Sequence, residues 1–355
     1  MERIQISIFG PVNSGKSTLM NALCGQEISL VSEVPGTTTD PVRKAIELPL
    51  GIGPAILVDT AGLDDASVLG DERKRRTNQV IDSTDIAIVI EAEAPSMKPL
   101  MDALLGSKIP TIQYKGESVE ELLEKVANTV SKDEKTWLTG SLVKAGDTVV
   151  LVMPQDSEAP KGRIILPQVQ VLRELLDRGC IPVCCTPEQL SGALESLAGK
   201  PRLVITDSQV FKQVEATIPK DCPLTSFSIL LAGAKGDIHT FVQGAKAIGK
   251  LPRNARVLIA EACTHVPDTE DIGRVKIPAL LKKRIPDLQV EIAAGNDFPE
   301  DLGPYNLIIH CGACVASATL VKARIKKALR AGVPITNYGI AIAYLQGILE
   351  RVSLP

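Results

Sequence analysis

The chain has 355 residues, of which 45% are hydrophobic and only 3% aromatic, and its formal net charge is −3. A chain of this length is expected to form roughly two to three domains. The weakly acidic charge and the scarcity of aromatic side chains argue against a nucleic-acid partner, which would need a basic face or stacking platforms. The sequence contains no apolar run long enough to cross a membrane, and Met1 leads directly into a strand-like segment. We therefore expect a cytoplasmic protein without a membrane partner.

Short apolar runs alternate with helical patterns along nearly the whole chain, which is typical of βα units and parallel sheets. We predict an α/β protein of three domains over residues 1–131, 132–223 and 224–355, in which a P-loop domain precedes two βα-type parallel-sheet domains. Polar or proline-containing segments mark both predicted boundaries. In the last domain the strands are predicted at 225–231, 255–262, 289–294, 306–310 and 333–337.

The N-terminal segment 10–18 reads GPVNSGKST and matches the phosphate-binding pattern G-x-x-x-x-G-K-[ST] in full. It lies between an apolar strand and a helix, as a P-loop should. In that geometry backbone N–H groups face the β-phosphate, Lys16 reaches the β and γ oxygens, and Ser17 ligates Mg²⁺. The predicted nucleotide-binding residues are Gly10, Asn13, Ser14, Gly15, Lys16, Ser17 and Thr18.

Two further segments follow in the order expected of a GTPase. The apolar run at 57–59 ends in Asp59, which can hold the Mg²⁺ shell, and Gly62 follows with an N–H that could sense a γ-phosphate. Thr38 lies in the intervening segment 36–40, where a switch loop would supply a threonine to the metal. The pattern predicts a GTPase with Lys16, Thr38, Asp59 and Gly62 as its catalytic residues.

Near the C-terminus, two short clusters contain three of the eight cysteines and two of the three histidines: Cys263 with His265, and His310 with Cys311 and Cys314. Both clusters follow predicted strands, and parallel sheets bind ligands at the carboxyl ends of their strands. Three thiolates with C-x-x-C spacing suit Zn²⁺ or an iron–sulfur cluster, with one coordination position left to another ligand. Buried core thiols and a structural zinc site are the alternatives.

Taken together, the P-loop, the switch segment 36–40, the D-T-A-G motif at 59–62, the segment 156–163 and the C-x-H…H-C-x-x-C constellation resemble the [FeFe]-hydrogenase maturation GTPases of the HydF family. The resemblance covers nearly the whole chain. It implies an Era/TrmE-like GTP-binding domain, a middle dimerisation domain and a C-terminal domain that binds a [4Fe–4S] cluster. The implied cluster ligands are Cys263, Cys311 and Cys314, with His265 and His310 nearby or weakly ligating.

The same resemblance implies a function and a set of partners. Proteins of this family act as a scaffold or carrier for the di-iron subcluster precursor, which two radical-enzyme maturases donate and apo-[FeFe]-hydrogenase receives. The chain is then expected to be a homodimer. An asparagine at the position of Asn13 ligates a monovalent cation in potassium-dependent relatives, which implies stimulation by K⁺.

The sequence departs from the pattern at the base-reading loop. GTPases of this type recognise guanine with N-K-x-D after the fifth strand, whereas residues 107–117 contain no such motif, so the GTP-binding domain is expected to be incomplete. Guanine specificity is therefore implied by the family alone. The alternative function is a regulatory GTPase of ribosome or tRNA modification with a structural zinc site.

Overall fold

The computed structural model describes residues 3–25, 41–60, 70–92, 94–95, 97–130, 137–155, 161–262 and 271–355. The chain divides into two compact units, Met1–Lys135 and Thr136–Pro355. Several sequence predictions lie outside the described residues: Thr38 with its switch segment, Gly62, Cys263, His265 and most of the segment 156–163. None of the helices in the described ranges is long and apolar enough to cross a membrane.

The first unit is one sheet with helices packed against it. Its strands are β1 (Ile4–Phe9), β2 (Val42–Leu48), β3 (Gly53–Asp59), β4 (Ile86–Ile90) and β5 (Thr111–Tyr114), and its helices are α1 (Lys16–Cys24), α2 (Gly70–Ser83), α3 (Met97–Ser107) and α4 (Val119–Val130). The strand order is β2-β3-β1-β4-β5. β2 pairs antiparallel with β3, and the other pairs are parallel. The central strands are buried on both faces because helices cover both sides of a parallel sheet.

The second unit begins with a four-stranded parallel sheet. Its strands are β6 (Thr148–Val152), β7 (Ile181–Cys185), β8 (Leu203–Thr206) and β9 (Leu224–Ser226), in the order β7-β6-β8-β9. The helices of this part are α5 (Leu166–Asp177), α6 (Leu190–Glu195), α7 (Phe211–Thr217) and α8 (Phe227–Lys235). The C-terminal tail runs beside β9, where Val352 bridges Leu224 and the Ser353 N–H donates to the Leu224 carbonyl at 2.7 Å.

A second four-stranded parallel sheet completes this unit. Its strands are β10 (Arg256–Glu261), β11 (Gln289–Ala294), β12 (Leu307–His310) and β13 (Ile335–Asn337), in the order β11-β10-β12-β13. The helices are α9 (Ile238–Ala247), α10 (Ile277–Arg284), α11 (Ala318–Arg330) and α12 (Tyr338–Leu345). A π-helical turn over Ile272–Lys276 leads into α10. The predicted α/β class, with a P-loop domain followed by two parallel-sheet domains, is confirmed.

The strand predicted at 225–231 is wrong beyond Ser226. There the chain turns into α8, whose first turn is capped by the Ser226 hydroxyl, which accepts the Ile229 N–H at 3.2 Å. The helix is buried around most of its circumference. An apolar run of this kind has no polar face, so hydrophobic periodicity does not distinguish a buried helix from a buried strand.

Helix α8 lies in a core shared by the two sheets of the second unit. One continuous hydrophobic cluster contains Val150 of β6, Ile229 of α8 and Leu258 of β10. Because the two sheets bury their apolar faces in one cluster, a displacement of either sheet would expose core residues of the other. The two halves of this unit are therefore held in a fixed arrangement.

We expect Gly244→Ala to destabilise the second unit. A Cβ at this position of α9 would lie 1.9 Å from the carbonyl oxygen of Ile335 in β13, so the helix would have to move away from the sheet. Overpacking of this kind costs about 1–3 kcal/mol of unfolding free energy, measurable by urea denaturation. Gly192→Ala on α6 is the control, since nothing lies within 4 Å of its Cβ. Equal stability of the two variants would contradict the close approach of α9 to β13.

Candidate functional sites: the P-loop and the cysteine loop

The P-loop joins β1 to α1 through a turn that needs left-handed backbone at two positions. Gly15 has a φ of 89° and Asn13 a φ of 59°. A Cβ on Gly10 would lie 2.6 Å from the Ser14 Oγ, so glycine allows the loop to close tightly. The Asn13 side chain is exposed at the loop surface.

Lys16 lies folded over this loop. Its side chain is buried, and the Nζ donates to the carbonyl oxygens of Gly10 at 3.1 Å and Pro11 at 2.5 Å. These bonds hold the ammonium group against the loop that precedes α1. A P-loop lysine contacts the β and γ oxygens from this position.

The two predicted magnesium ligands of the described chain are in direct contact. The Ser17 Oγ donates to the Asp59 Oδ2 at 2.6 Å. Asp59 is the last residue of β3 and pairs in register with Ile8 of β1, so parallel pairing brings its carboxylate to the P-loop edge of the sheet. A hydroxyl and a carboxylate at this distance are the oxygen ligands that Mg²⁺ prefers.

The loop after β5 contains a carboxylate that sequence reasoning missed. The Glu117 carboxylate accepts the Lys115 N–H at 2.7 Å and the Lys125 Nζ at 2.6 Å. The hydrogen bond from Lys125, aided by that from the Lys115 N–H, lowers the pKa of Glu117 to about 2, so the group is ionised at neutral pH. Gly116 supplies the left-handed turn, with a φ of 93°. The available signal was the Lys-Gly-Glu run at the end of the fifth strand, where N-K-x-D is expected.

In the second unit, the segment 311–316 leaves the carboxyl end of β12 and forms what we call the cysteine loop. The Cys311 Sγ accepts backbone N–H groups from Ala262 at 3.1 Å and from Ala313 at 3.4 Å. Ala313 is left-handed, with a φ of 50°, and folds its own N–H back toward this sulfur. Cys311 and Cys314 are both partly exposed. N–H···S bonds favour a thiolate, which is the metal-binding form of cysteine.

Both ring nitrogens of His310 are hydrogen-bonded to neighbouring groups. Its Nδ1 lies 2.8 Å from the Cys311 carbonyl oxygen, and its Nε2 lies 3.1 Å from an Arg324 guanidinium nitrogen. Burial, together with the charge of Arg324, lowers the pKa of His310 to about 3. In the neutral ring Nδ1–H donates to the carbonyl and Nε2 accepts from arginine. His310 thus holds the Cys311 peptide, and neither ring nitrogen faces a metal position.

Arg324 is a further residue that sequence reasoning missed. It is 5% exposed on α11, and its guanidinium donates to the carbonyl oxygens of Glu261 at 3.2 Å and Gly295 at 2.6 Å as well as to His310. It therefore joins the carboxyl ends of β10, β11 and β12 around the cysteine loop. No spacing along the chain links these positions, so only the fold reveals the contact.

In the part of the chain that the structure describes, no group of three or more histidine, cysteine, aspartate or glutamate side chains is arranged as a metal site. Cys311 and Cys314 lie on one loop, and Ala262, the residue that precedes Cys263, contacts the Cys311 sulfur. Cys263 and His265 themselves are outside the described ranges. The metal-site prediction therefore stays a prediction.

Family models match three consecutive parts of the chain. Residues 5–136 match the 50S ribosome-binding GTPase model, residues 138–236 match the hydrogen maturase F (HydF) dimerization domain, and residues 239–355 match the hydrogen maturase F tetramerization domain. The matches together extend over nearly the whole chain.

The curated relatives match only part of this chain. The tRNA modification GTPase MnmE of Nitrosospira multiformis is 33% identical over 144 residues, which is 39% of this chain and 31% of that protein. The GTPase Der of Clostridium perfringens is 45% identical over 97 residues, or 26% of this chain and 22% of that protein. The chain thus spans less than a third of the length of these relatives. A solved structure of an Aquifex aeolicus Era variant is 14% identical, covers 90% of this chain and 99% of that chain, and has a TM-score of 0.29.

We expect Glu117→Gln to weaken nucleotide selection for guanine. An ionised carboxylate can accept both the ring and the exocyclic N–H of guanine, whereas an amide offers one acceptor oxygen. Loss of such a charged hydrogen bond costs about 1.5–3 kcal/mol, or about ten- to hundredfold in GTP affinity, and the affinity for ATP should stay unchanged. Competition between fluorescent GTP and ATP measures the ratio. The control Lys16→Ala should lose affinity for both nucleotides, and an unchanged GTP preference in Glu117→Gln would exclude this carboxylate as the base reader.

Proposed function

The chain belongs to the HydF family of hydrogen maturases, and on that premise we propose that it is a GTPase and an iron–sulfur scaffold of [FeFe]-hydrogenase maturation. In this role it holds a di-iron subcluster precursor and delivers it to apo-hydrogenase. The observation that carries the proposal is the cysteine loop, which places Cys311 and Cys314 at the carboxyl end of β12 with backbone N–H groups directed at one sulfur.

The chemistry of this loop fits a thiolate-bound iron–sulfur cluster. The two N–H···S bonds to Cys311 stabilise negative charge on sulfur, and such bonds are one of the means by which proteins tune iron–sulfur clusters. The loop also precedes α11, whose Ser317 cap accepts the Leu320 N–H at 3.3 Å. The positive end of that helix dipole favours an anionic group near Cys314.

We assign cluster ligation to Cys263, Cys311 and Cys314. Three thiolates would hold three irons of a [4Fe–4S] cluster, which would leave the fourth iron to a non-cysteine ligand. Such a position is open to exchange, which suits a carrier better than a closed structural site does. His310 acts by orienting the Cys311 peptide, since both of its ring nitrogens are already bonded.

The P-loop domain would bind and hydrolyse GTP with Mg²⁺. Lys16 would contact the phosphates. Ser17 and Asp59, which are hydrogen-bonded to each other, would hold the metal together with Thr38, and the Gly62 N–H would contact the γ-phosphate. When bound there, Mg²⁺ would supply positive charge against the negative charge that develops on the phosphoryl oxygens. The exposed Asn13 is the proposed ligand for a stimulating K⁺ ion.

A second candidate follows from the curated relatives, which are GTPases of tRNA modification and of the Der type. In this alternative the cysteines would hold structural zinc. Those relatives cover only a minority of this chain, whereas the two hydrogen maturase models account for residues 138–236 and 239–355. The proposal for hydrogenase maturation therefore explains more of the sequence.

The match to a dimerization and a tetramerization domain supports self-association, and we propose a homodimer formed at the β7 edge of the middle sheet. β7 is an outer strand, and its Ile181 is 56% exposed with Cys184 also at the surface. Two radical-enzyme maturases and apo-[FeFe]-hydrogenase are the proposed further partners.

Each of Cys263→Ser, Cys311→Ser and Cys314→Ser should prevent formation of an intact [4Fe–4S] cluster, because thiolate bonds dominate the affinity of the site. Anaerobic reconstitution followed by iron and sulfide assay and EPR of the reduced protein measures this. Cys184→Ser, which removes an exposed thiol on β7, is the control and should load fully. Bound zinc without iron in the parent protein, or full loading of Cys311→Ser, would refute the scaffold proposal.

Ile181→Glu should weaken the dimer at least tenfold, because it places charge on the apolar edge strand β7. Light scattering of the full chain across a concentration series measures the dissociation constant. Leu105→Glu, at a position of α3 that is 66% exposed, is the matched control and should leave the dimer intact. A dimer equally tight in both variants would place the interface elsewhere.

A further inference from the structure

Beneath the cysteine loop lies a buried lysine from a different part of the chain. Lys235 is the last residue of α8 and is 2% exposed. Its Nζ lies 2.8 Å from the Ala313 carbonyl oxygen, 2.8 Å from that of Ala316 and 3.5 Å from that of Cys314. Three carbonyl groups of the loop thus converge on one ammonium group.

This arrangement suits the shape of the loop. The loop bends at Ala313 and then enters α11, so its carbonyl groups point inward instead of joining a strand ladder. Buried carbonyl groups need donors, and an ammonium group supplies three that rotate freely. The Ala313 carbonyl also accepts the Ala316 N–H at 3.1 Å, so the lysine reinforces that turn and in addition supplies a donor to the carbonyl groups of Cys314 and Ala316.

The charge of Lys235 acts on the same loop. Away from water the effective dielectric constant is low, so a buried positive charge that is bonded to this loop stabilises negative charge on the sulfur atoms of the loop much more than a surface lysine would. Any thiolate-bound metal group that is net negative gains from it. A group that becomes more negative on reduction gains more in the reduced form.

Lys235 also connects two functional parts of the protein. It lies within residues 138–236, which match the dimerization domain, whereas the cysteine loop lies within residues 239–355. The ammonium contacts are therefore made across the junction between these parts, from the helix in their shared core.

We propose that Lys235 is a positioning residue of the metal site, through which the middle domain holds the cysteine loop in its ligating shape and favours an anionic thiolate-bound group there. This inference rests on the proposed function for the identity of the group, but the role of the lysine is testable without iron. It predicts that assembly of the middle domain and metal binding on the cysteine loop are coupled.

The first test uses the full chain without metal. Lys235→Met keeps the length of the apolar stem and removes the ammonium, and we expect at least tenfold faster hydrogen exchange of the backbone amides at 312–320. Lys322→Met is the matched control, because it removes the same charge from an exposed position of α11 and should leave these amides unchanged. Unchanged exchange in Lys235→Met would overturn the positioning role.

The second test uses Co²⁺ alone as the probe, under anaerobic reducing conditions, with the thiolate-to-cobalt absorption band as the readout. Loss of an outer contact of this kind typically lowers metal affinity about 10–100-fold, and we expect that loss in Lys235→Met. Lys235→Arg should recover most of the affinity. Lys235→Gln keeps hydrogen-bond donors but loses the charge, so its loop amides should exchange hydrogen as slowly as in the parent protein while it binds cobalt weakly. This variant also replaces Lys235→Met if the methionine variant does not fold. Parent-like affinity in Lys235→Gln would overturn the electrostatic role.

The third test measures the midpoint potential of the reconstituted protein, which should become more negative in Lys235→Met and in Lys235→Gln but not in Lys322→Met. An unchanged potential would refute the charge effect. If the parent protein takes up no iron, the proposed scaffold function fails, whereas the exchange and cobalt experiments still decide the role of Lys235.

Discussion

Parallel strand pairing is the constraint on which both candidate sites depend. In a parallel sheet all carboxyl ends meet at one edge, so residues distant in sequence are brought together there without any local signal between them. The P-loop follows β1 and Asp59 ends β3, two neighbouring strands of the first sheet. The cysteine loop follows β12, and Ala262, just before Cys263, follows the neighbouring β10. The same geometry thus builds a phosphate site in one unit and a thiol site in the other.

Around the cysteine loop, the fold replaces solvent by fixed charged groups. Arg324 and Lys235 are buried there, and the buried Glu261 carboxylate is held by Arg274 through bonds of 3.2 and 2.8 Å. Burying such charges is costly unless each is satisfied by well-placed partners, and these are bonded to carbonyl groups or to each other. The positions of these charged groups are therefore fixed by their hydrogen bonds and by the packing around them. A site surrounded in this way presents a constant electrostatic environment to any group that the loop binds.

The sequence predicts those parts of the molecule whose structure is determined by residues that are close together along the chain. The P-loop, the ends of β10 and β12 and the α/β class could be read from motifs and from apolar runs. The helical structure of the segment 227–231 could not be predicted in this way, because α8 is apolar on nearly every side and so shows no helical hydrophobic period. The contacts of Lys235 with the cysteine loop could not either, since they span about eighty positions and depend on a shared core. The switch segment and Cys263 lie outside the described residues, and their roles remain predictions.

The tail beside β9 has a consequence for how large an assembly can grow. A sheet with two open edges can add a copy at each side, and repeated addition produces a filament with no natural end. Here the outer edge of β9 is occupied by residues 352–353 of the same chain, and the strand at the opposite edge of the sheet is β7. With the β9 edge capped by its own chain, the proposed pairing through β7 would join two copies and then stop. This sheet alone would therefore give a closed pair, and a larger assembly would need a second contact surface, such as one within residues 239–355, which match a tetramerization domain.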